Sequence, residues 1–225
     1  MEAQMRLIGL LGLLGLTGCP ASVTAEGMDD GFGMAFGAAW IHLDAGKEES
    51  DSIVIANYGD VCAKTEAYYD AYADFEDAAE DVLSKDYCEN IEEPFLTWVD
   101  ASAAMLYDGA KFVSLSFSGD LNDKEYDFDD DAYGSVSEVT DAPWEDMADD
   151  FDPDGDITDG CGTGTIDTDF GDTWSLTDGS VEITALADEA SASGTVDARM
   201  QETGKGGDKS DFTASFGAAW CEIKL

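Results

Sequence analysis

Phe212-Thr-Ala-Ser-Phe216-Gly-Ala-Ala-Trp220-Cys-Glu-Ile223 is the stretch that decides the fold. Phe212, Ala214, Phe216, Ala218 and Trp220 share one parity, so an extended chain puts all five on one face. Upstream, Thr195-Val-Asp-Ala-Arg-Met200 reads as a neighbouring strand, followed by a Gly- and Lys-rich turn. Before it, Trp174-Ser-Leu-Thr177 and Val181-Glu-Ile-Thr184 flank Asp178-Gly179, a dipeptide favoured in tight hairpin turns. Phe112 to Gly119 alternates Val113, Leu115 and Phe117 with serines, and Met34–Leu43 and Ile53–Ala56 are further strand candidates. Neighbouring strands joined by short turns predict an antiparallel meander closing as a sandwich or small barrel.

Between the strands, Tyr68, Tyr72, Phe75, Ala79, Val82 and Tyr87 recur mostly at three- and four-residue intervals, separated by acids. This spacing predicts one long amphipathic helix over about 60–88, packed on the sheet, with Gly59-Asp60 at its N-cap. The fold class is therefore α+β, mainly β. Phe36-Gly-Ala-Ala-Trp40 recurs as Phe216-Gly-Ala-Ala-Trp220, which fits either pairing of the first and last strands or coincidence.

The N-terminus has a different character. A short segment ending in Arg6 precedes the apolar run Leu7–Leu16 and then Thr17-Gly18-Cys19. Ten apolar residues fall short of the roughly 20 that span a bilayer but suit the core of a signal peptide. Leu16-Thr17-Gly18-Cys19 resembles the lipobox of bacterial lipoproteins. That resemblance implies cleavage before Cys19, a diacylglycerol on its thiol and an acylated new amine; two or more chains anchor stably. It divides the chain into a signal peptide (1–18), a lipidated Cys19 with a flexible tether (19–31) and one β-rich domain (32–225). The domain resembles β-rich lipoproteins of Gram-negative envelopes, and the outer membrane is the preferred location over the inner.

Cys62, Cys88, Cys161 and Cys221 remain, an even number that reads as two disulfides in an exported chain. A continuous helix holds Cys62 and Cys88 about 39 Å apart, far beyond disulfide reach. Cys62–Cys221 with Cys88–Cys161 is the favoured pairing, the second bond ranked just above its crossed alternative. A zinc site is disfavoured, because there is no C-x-x-C and His42 is the sole histidine.

The net charge is −41, and removing residues 1–18 takes away only Glu2 and Arg6, leaving it unchanged. Such an excess of acid argues against nucleic acid, which needs Lys and Arg, and against electrostatic docking on an anionic leaflet. Cations are the natural partners, unless the charge is a solubilising surface of the kind suited to high salt. The acids are uneven: of 34 Asp, 17 lie between Asp120 and Asp172, where Lys124 is the only base.

Within this acidic region (120–172), Asp150-Phe-Asp152-Pro-Asp154-Gly155-Asp156-Ile157-Thr158 resembles the first nine positions of an EF-hand calcium loop. Alternate carboxylates converge on one hard cation and the Gly permits the turn, which makes Asp150, Asp152, Asp154, Asp156 and Asp159 candidate Ca²⁺ ligands. Cys161 stands where an EF-hand has its bidentate Glu, so Asp159 or Asp167 is needed to complete the shell. Asp127-Phe-Asp129-Asp-Asp131 is a weaker candidate without the Gly.

No nucleophile elbow, phosphate loop or H-E-x-x-H is present. His42, beside Trp40, reads as structural, and no enzyme is expected. The expectation is a membrane-anchored structural or binding module with an acidic calcium loop. The alternatives are a polysaccharide- or protein-binding module using exposed aromatics around Trp144 and Trp174, and a carboxylate-based hydrolase.

Overall fold

The computed structural model describes residues 21–26, 28, 31–33, 35–44, 49–80, 86–128, 130–155, 160–162, 171–187, 189–204 and 208–224. Its strands are β1 (Ser22–Ala25), β2 (Gly37–Asp44), β3 (Glu49–Ala56), β4 (Lys111–Phe117), β5 (Glu125–Asp127), β6 (Ala132–Val139), β7 (Gly171–Ala187), β8 (Ser191–Glu202) and β9 (Ser210–Lys224). The helices are α1 (Val61–Ala79), α2 (Tyr87–Met105) and α3 (Trp144–Asp150).

Seven strands close into a barrel. β2, β3, β4, β6, β7, β8 and β9 each pair antiparallel with the next, and β9 returns to β2. The expected antiparallel meander thus closes as a barrel, and the closing pair alone is parallel. The reason is parity: in an up-and-down path of seven strands, the first and last run the same way. The two Phe-Gly-Ala-Ala-Trp pentads meet at this seam in register, with Ala39 opposite Ala219 and Trp40 opposite Trp220. Of the two readings of the repeat, pairing is the one observed.

Alternation sorts the side chains. Phe212, Ala214, Phe216 and Ala218 point inward with Ile53, Ile55, Val113 and Leu115, forming a filled interior. Each fully buried large apolar side chain contributes roughly 1.5–3 kcal/mol. Ala39, Ile41, Cys221 and Ile223, of opposite parity, face outward under α1 and α2 in a second apolar layer. One barrel end is sealed by Lys111, whose Nζ pairs with Glu138 Oε1 at 3.0 Å and donates to the Gly31 carbonyl at 2.6 Å.

Three expectations need correction. The tether expected over 19–31 contains β1, which pairs with β9, and Ala25, Met28 and Phe32 are buried in the barrel core. Its small, polar composition concealed those spaced apolar anchors. The Asp178-Gly179 hairpin does not form either: β7 runs straight through as one 17-residue strand. Between Thr177 and Ser180 it instead carries a bulge, with Asp178 left-handed at φ 47°. A Cβ on Gly179 would lie 2.2 Å from the Asp197 carbonyl oxygen, so only glycine fits the close approach to β8.

The helix expected over 60–88 is the third. α1 stops at Ala79, and Tyr87 opens α2, which returns antiparallel with Phe75 against Phe95, Tyr72 against Trp98 and Thr65 near Met105. The repeat that suggested one helix belongs to two, facing each other. Asp60 occupies the N-cap position but makes no side-chain cap. Cys62 joins Cys221 and Cys88 joins Cys161. The hairpin places Cys62 and Cys88 at opposite ends, so their separation survives the loss of the continuous helix. Trp144 and Trp174 are buried, Trp144 donating its indole N–H to the Leu106 carbonyl at 2.6 Å. They supply no exposed aromatic surface.

Candidate functional site

The other end of the barrel is polar and open. Inward parity carries β2 from Trp40 to His42, and β9 from Trp220 to Glu222; register places Asp51 of β3 directly opposite His42. The β4–β5 connection adds Asp120 and Leu121, the end of β7 adds Leu186, and the β7–β8 turn adds Glu189. Together these residues line a cavity of about 450 Å³. Barrel mouths are among the preferred places for small-ligand sites.

Asp51 organises the floor. It is only 8% exposed, and its Oδ1 accepts from the Trp40 indole N–H and from His42 Nδ1, each at 3.0 Å. Its Oδ2 accepts from the Leu121 backbone N–H at 3.1 Å. Three donors compensate a carboxylate whose removal from water would otherwise be costly. Because a carboxylate oxygen accepts, His42 Nδ1 is the donor in this contact. The imidazole is also fixed from above: Trp220 stacks on it at 5.0 Å, and Trp40 meets Trp220 edge-on at 4.5 Å. The result is a rigid aromatic wall beside four carboxylates, those of Asp51, Asp120, Glu189 and Glu222.

Trp40 and His42 were visible in the sequence as strand residues; Asp51, Asp120, Glu189 and Glu222 were not singled out among the many acids. The one available signal was the paired pentad, which brings two tryptophans together wherever β2 and β9 meet. A second cavity of similar volume lies beside Phe36, Val61 and Cys62, but Asp60 and Glu66 are its only titratable side chains.

The proposed calcium loop is described in part. Asp154 N–H donates to Asp152 Oδ1 at 3.0 Å, Gly155 N–H to the Asp152 carbonyl at 2.9 Å, and Asp152 N–H to the Cys161 carbonyl at 2.7 Å. Asp156, Asp159, Asp167 and Asp129 lie outside the described residues, as do Cys19 and the leader. Among the described residues, no three Asp, Glu, His or Cys side chains are gathered to hold a metal ion. No described helix is long and apolar enough to cross a membrane. No protein-family model, curated protein or solved structure matches the chain.

Proposed function

We propose that this chain is an exported, lipid-anchored binding module of the cell envelope, with the outer membrane as its preferred location, and that its ligand site is the barrel mouth. The observation that carries the reading is the cavity walled by Trp40, His42 and Trp220 and floored by Asp51. Binding is placed first because no Ser, Thr, Cys or Lys stands among the lining residues beside His42, and a carboxylate-based hydrolase using Asp120, Glu189 or Glu222 is the alternative. For the anchor, support comes from Leu16-Thr17-Gly18-Cys19 and the apolar run before it. Only three residue steps separate Cys19 from β1, about 10 Å of chain, so an acylated Cys19 holds the barrel close to the bilayer.

Two measurements test this. Labelled palmitate is expected on the wild-type chain and not on Cys19→Ser, which moves from the membrane to the soluble fraction; labelling of both would sink the anchor. For the mouth, the Trp40 and Trp220 indole N–H resonances are followed while small solutes are added into the millimolar range. At least one class should shift them saturably, and Trp220→Ala should weaken the response read at Trp40.

A second reading concerns Asp150, Asp152 and Asp154, with Asp156 and Asp159, as a Ca²⁺ loop that steadies the acidic region. What favours it is the closure of this segment by the Asp152–Cys161 hydrogen bond and by the disulfide to Cys88. Calcium at a hundredfold excess over its Kd then stabilises the fold by about 2.7 kcal/mol. The expected result is a calcium-selective rise in Tm, lost in Asp152→Ala with Asp154→Ala. Equal stabilisation by sodium chloride would mark the acids as a solvated surface instead.

A further inference from the structure

The geometry points to an organic cation, an ammonium or quaternary ammonium group on a small apolar body, as the ligand of the barrel mouth. The inference rests on the mouth being the binding site and goes further by naming what it selects.

Charge excludes the first class of ligand. No Lys or Arg lines the cavity, while Asp120, Glu189 and Glu222 do, in a chain of net charge −41. An anion would meet the carboxylates of Asp51, Asp120, Glu189 and Glu222 and find no Lys or Arg among the lining residues. Metal ions need ligands converging within about 2.0–2.6 Å, and no described group of three side chains is placed for that. A neutral sugar asks for donors as well as acceptors. Among the lining side chains there is no Ser, Thr, Asn, Gln, Lys or Arg, and with the Trp40 indole N–H engaged by Asp51 the Trp220 indole N–H is the one tryptophan donor left, so carboxylate acceptors outnumber donors.

What the mouth does offer is carboxylates and the partly exposed Trp220 indole, one face of which is stacked on His42. Indole is the best aromatic partner for a cation, and Trp220 is held by its contacts with His42 and Trp40 rather than free to turn away. Lys224 already shows the preference of one wall: its Nζ pairs with Glu222 Oε1 at 3.2 Å, with both side chains exposed. Such a surface pair is worth little, so a ligand ammonium can take the place of Lys224 at small cost. Asp120 and Glu189 have no Lys or Arg partner among the described residues. Asp51, by contrast, has both oxygens committed and serves to hold the wall in position.

The experiment titrates the purified full chain with choline and with benzylamine. Their neutral isosteres, 3,3-dimethyl-1-butanol and benzyl alcohol, are run alongside, reading Trp indole resonances and calorimetric heats. At least one cation is expected to bind about tenfold more tightly than its isostere. Asp120→Asn combined with Glu189→Gln and Glu222→Gln should bring that cation down to the level of the isostere, while Trp220→Ala weakens both. If isosteres bind as well as the cations, the cation inference is overturned and the mouth remains a site for neutral ligands. If no probe moves the Trp40 or Trp220 resonance, this inference and the binding reading of the mouth fall together.

Discussion

Replacing Cys62 and Cys221 by alanine is expected to cost about 5 kcal/mol, the largest effect of any change considered. The bond joins residues 159 apart in sequence, and cross-linking a loop of that length removes roughly this much free energy from the unfolded ensemble in the chain-entropy account. A domain of this size is stable by only about 5–15 kcal/mol, so the variant sits near its unfolding threshold. Structure adds to the entropy: Cys62 lies in the first turn of α1 and Cys221 on the outer face of β9, tying the helical hairpin to the barrel wall. Cys88–Cys161, spanning 73 residues, removes a little less entropy. It clamps a surface segment to the start of α2, and its loss should register as local opening around Asp150–Gly162. Urea unfolding in a Cys19→Ser background, where no free thiol can reshuffle, separates the two. A loss below about 1 kcal/mol for the Cys62–Cys221 pair would mean that helical packing alone holds the hairpin.

Phe212→Ala is the second large effect, at about 3–5 kcal/mol. Phe212 is fully buried on β9, with Ala25 of β1 on one side and Ala198 of β8 on the other. Small neighbours leave room for the ring, and they cannot extend to fill the hole when it is removed. Cavity collapse is therefore limited, which places the cost toward the upper end of the range. Phe212→Leu keeps most of the volume and should cost under about 1.5 kcal/mol. Both are read as shifts in the urea midpoint at constant slope; equal losses for the two variants would show that ring shape, not volume, is what the site requires.

Legibility followed periodicity. β4 and β9 could be read because their inward residues alternate without interruption, Val113 to Phe117 and Phe212 to Trp220. β7 was misread at Asp178-Gly179, since a left-handed Asp before Gly serves a bulge as well as a turn. Only the pairing partner tells them apart, and that partner, Asp197, is distant in sequence. α2 went unseen, although Ile91, Phe95, Trp98, Val99 and Ser102 are buried along one stripe. Pro94 and the acids Glu89, Glu92 and Glu93 interrupt that stripe in a linear reading. The site was the least legible part. His42 and Trp40 stand out by rarity, but Asp51 acquires its role only when β3 sets it opposite His42. Among 34 Asp residues, nothing local distinguishes it.

The parallel seam also bears on how the chain reaches its native state. Trp40 and Trp220 lie roughly 180 positions apart, so ring closure is among the most non-local steps available to this chain and is expected to come late. Before it, β2 and β9 each present an open edge, a template on which a second copy can add its own strand. Nascent chains at that stage would associate unless something kept them apart. With a net charge of −41, two half-folded copies repel each other throughout the interval when their edges are bare. The acidity that looks excessive on the finished barrel is thus expected to act as a kinetic safeguard during its assembly.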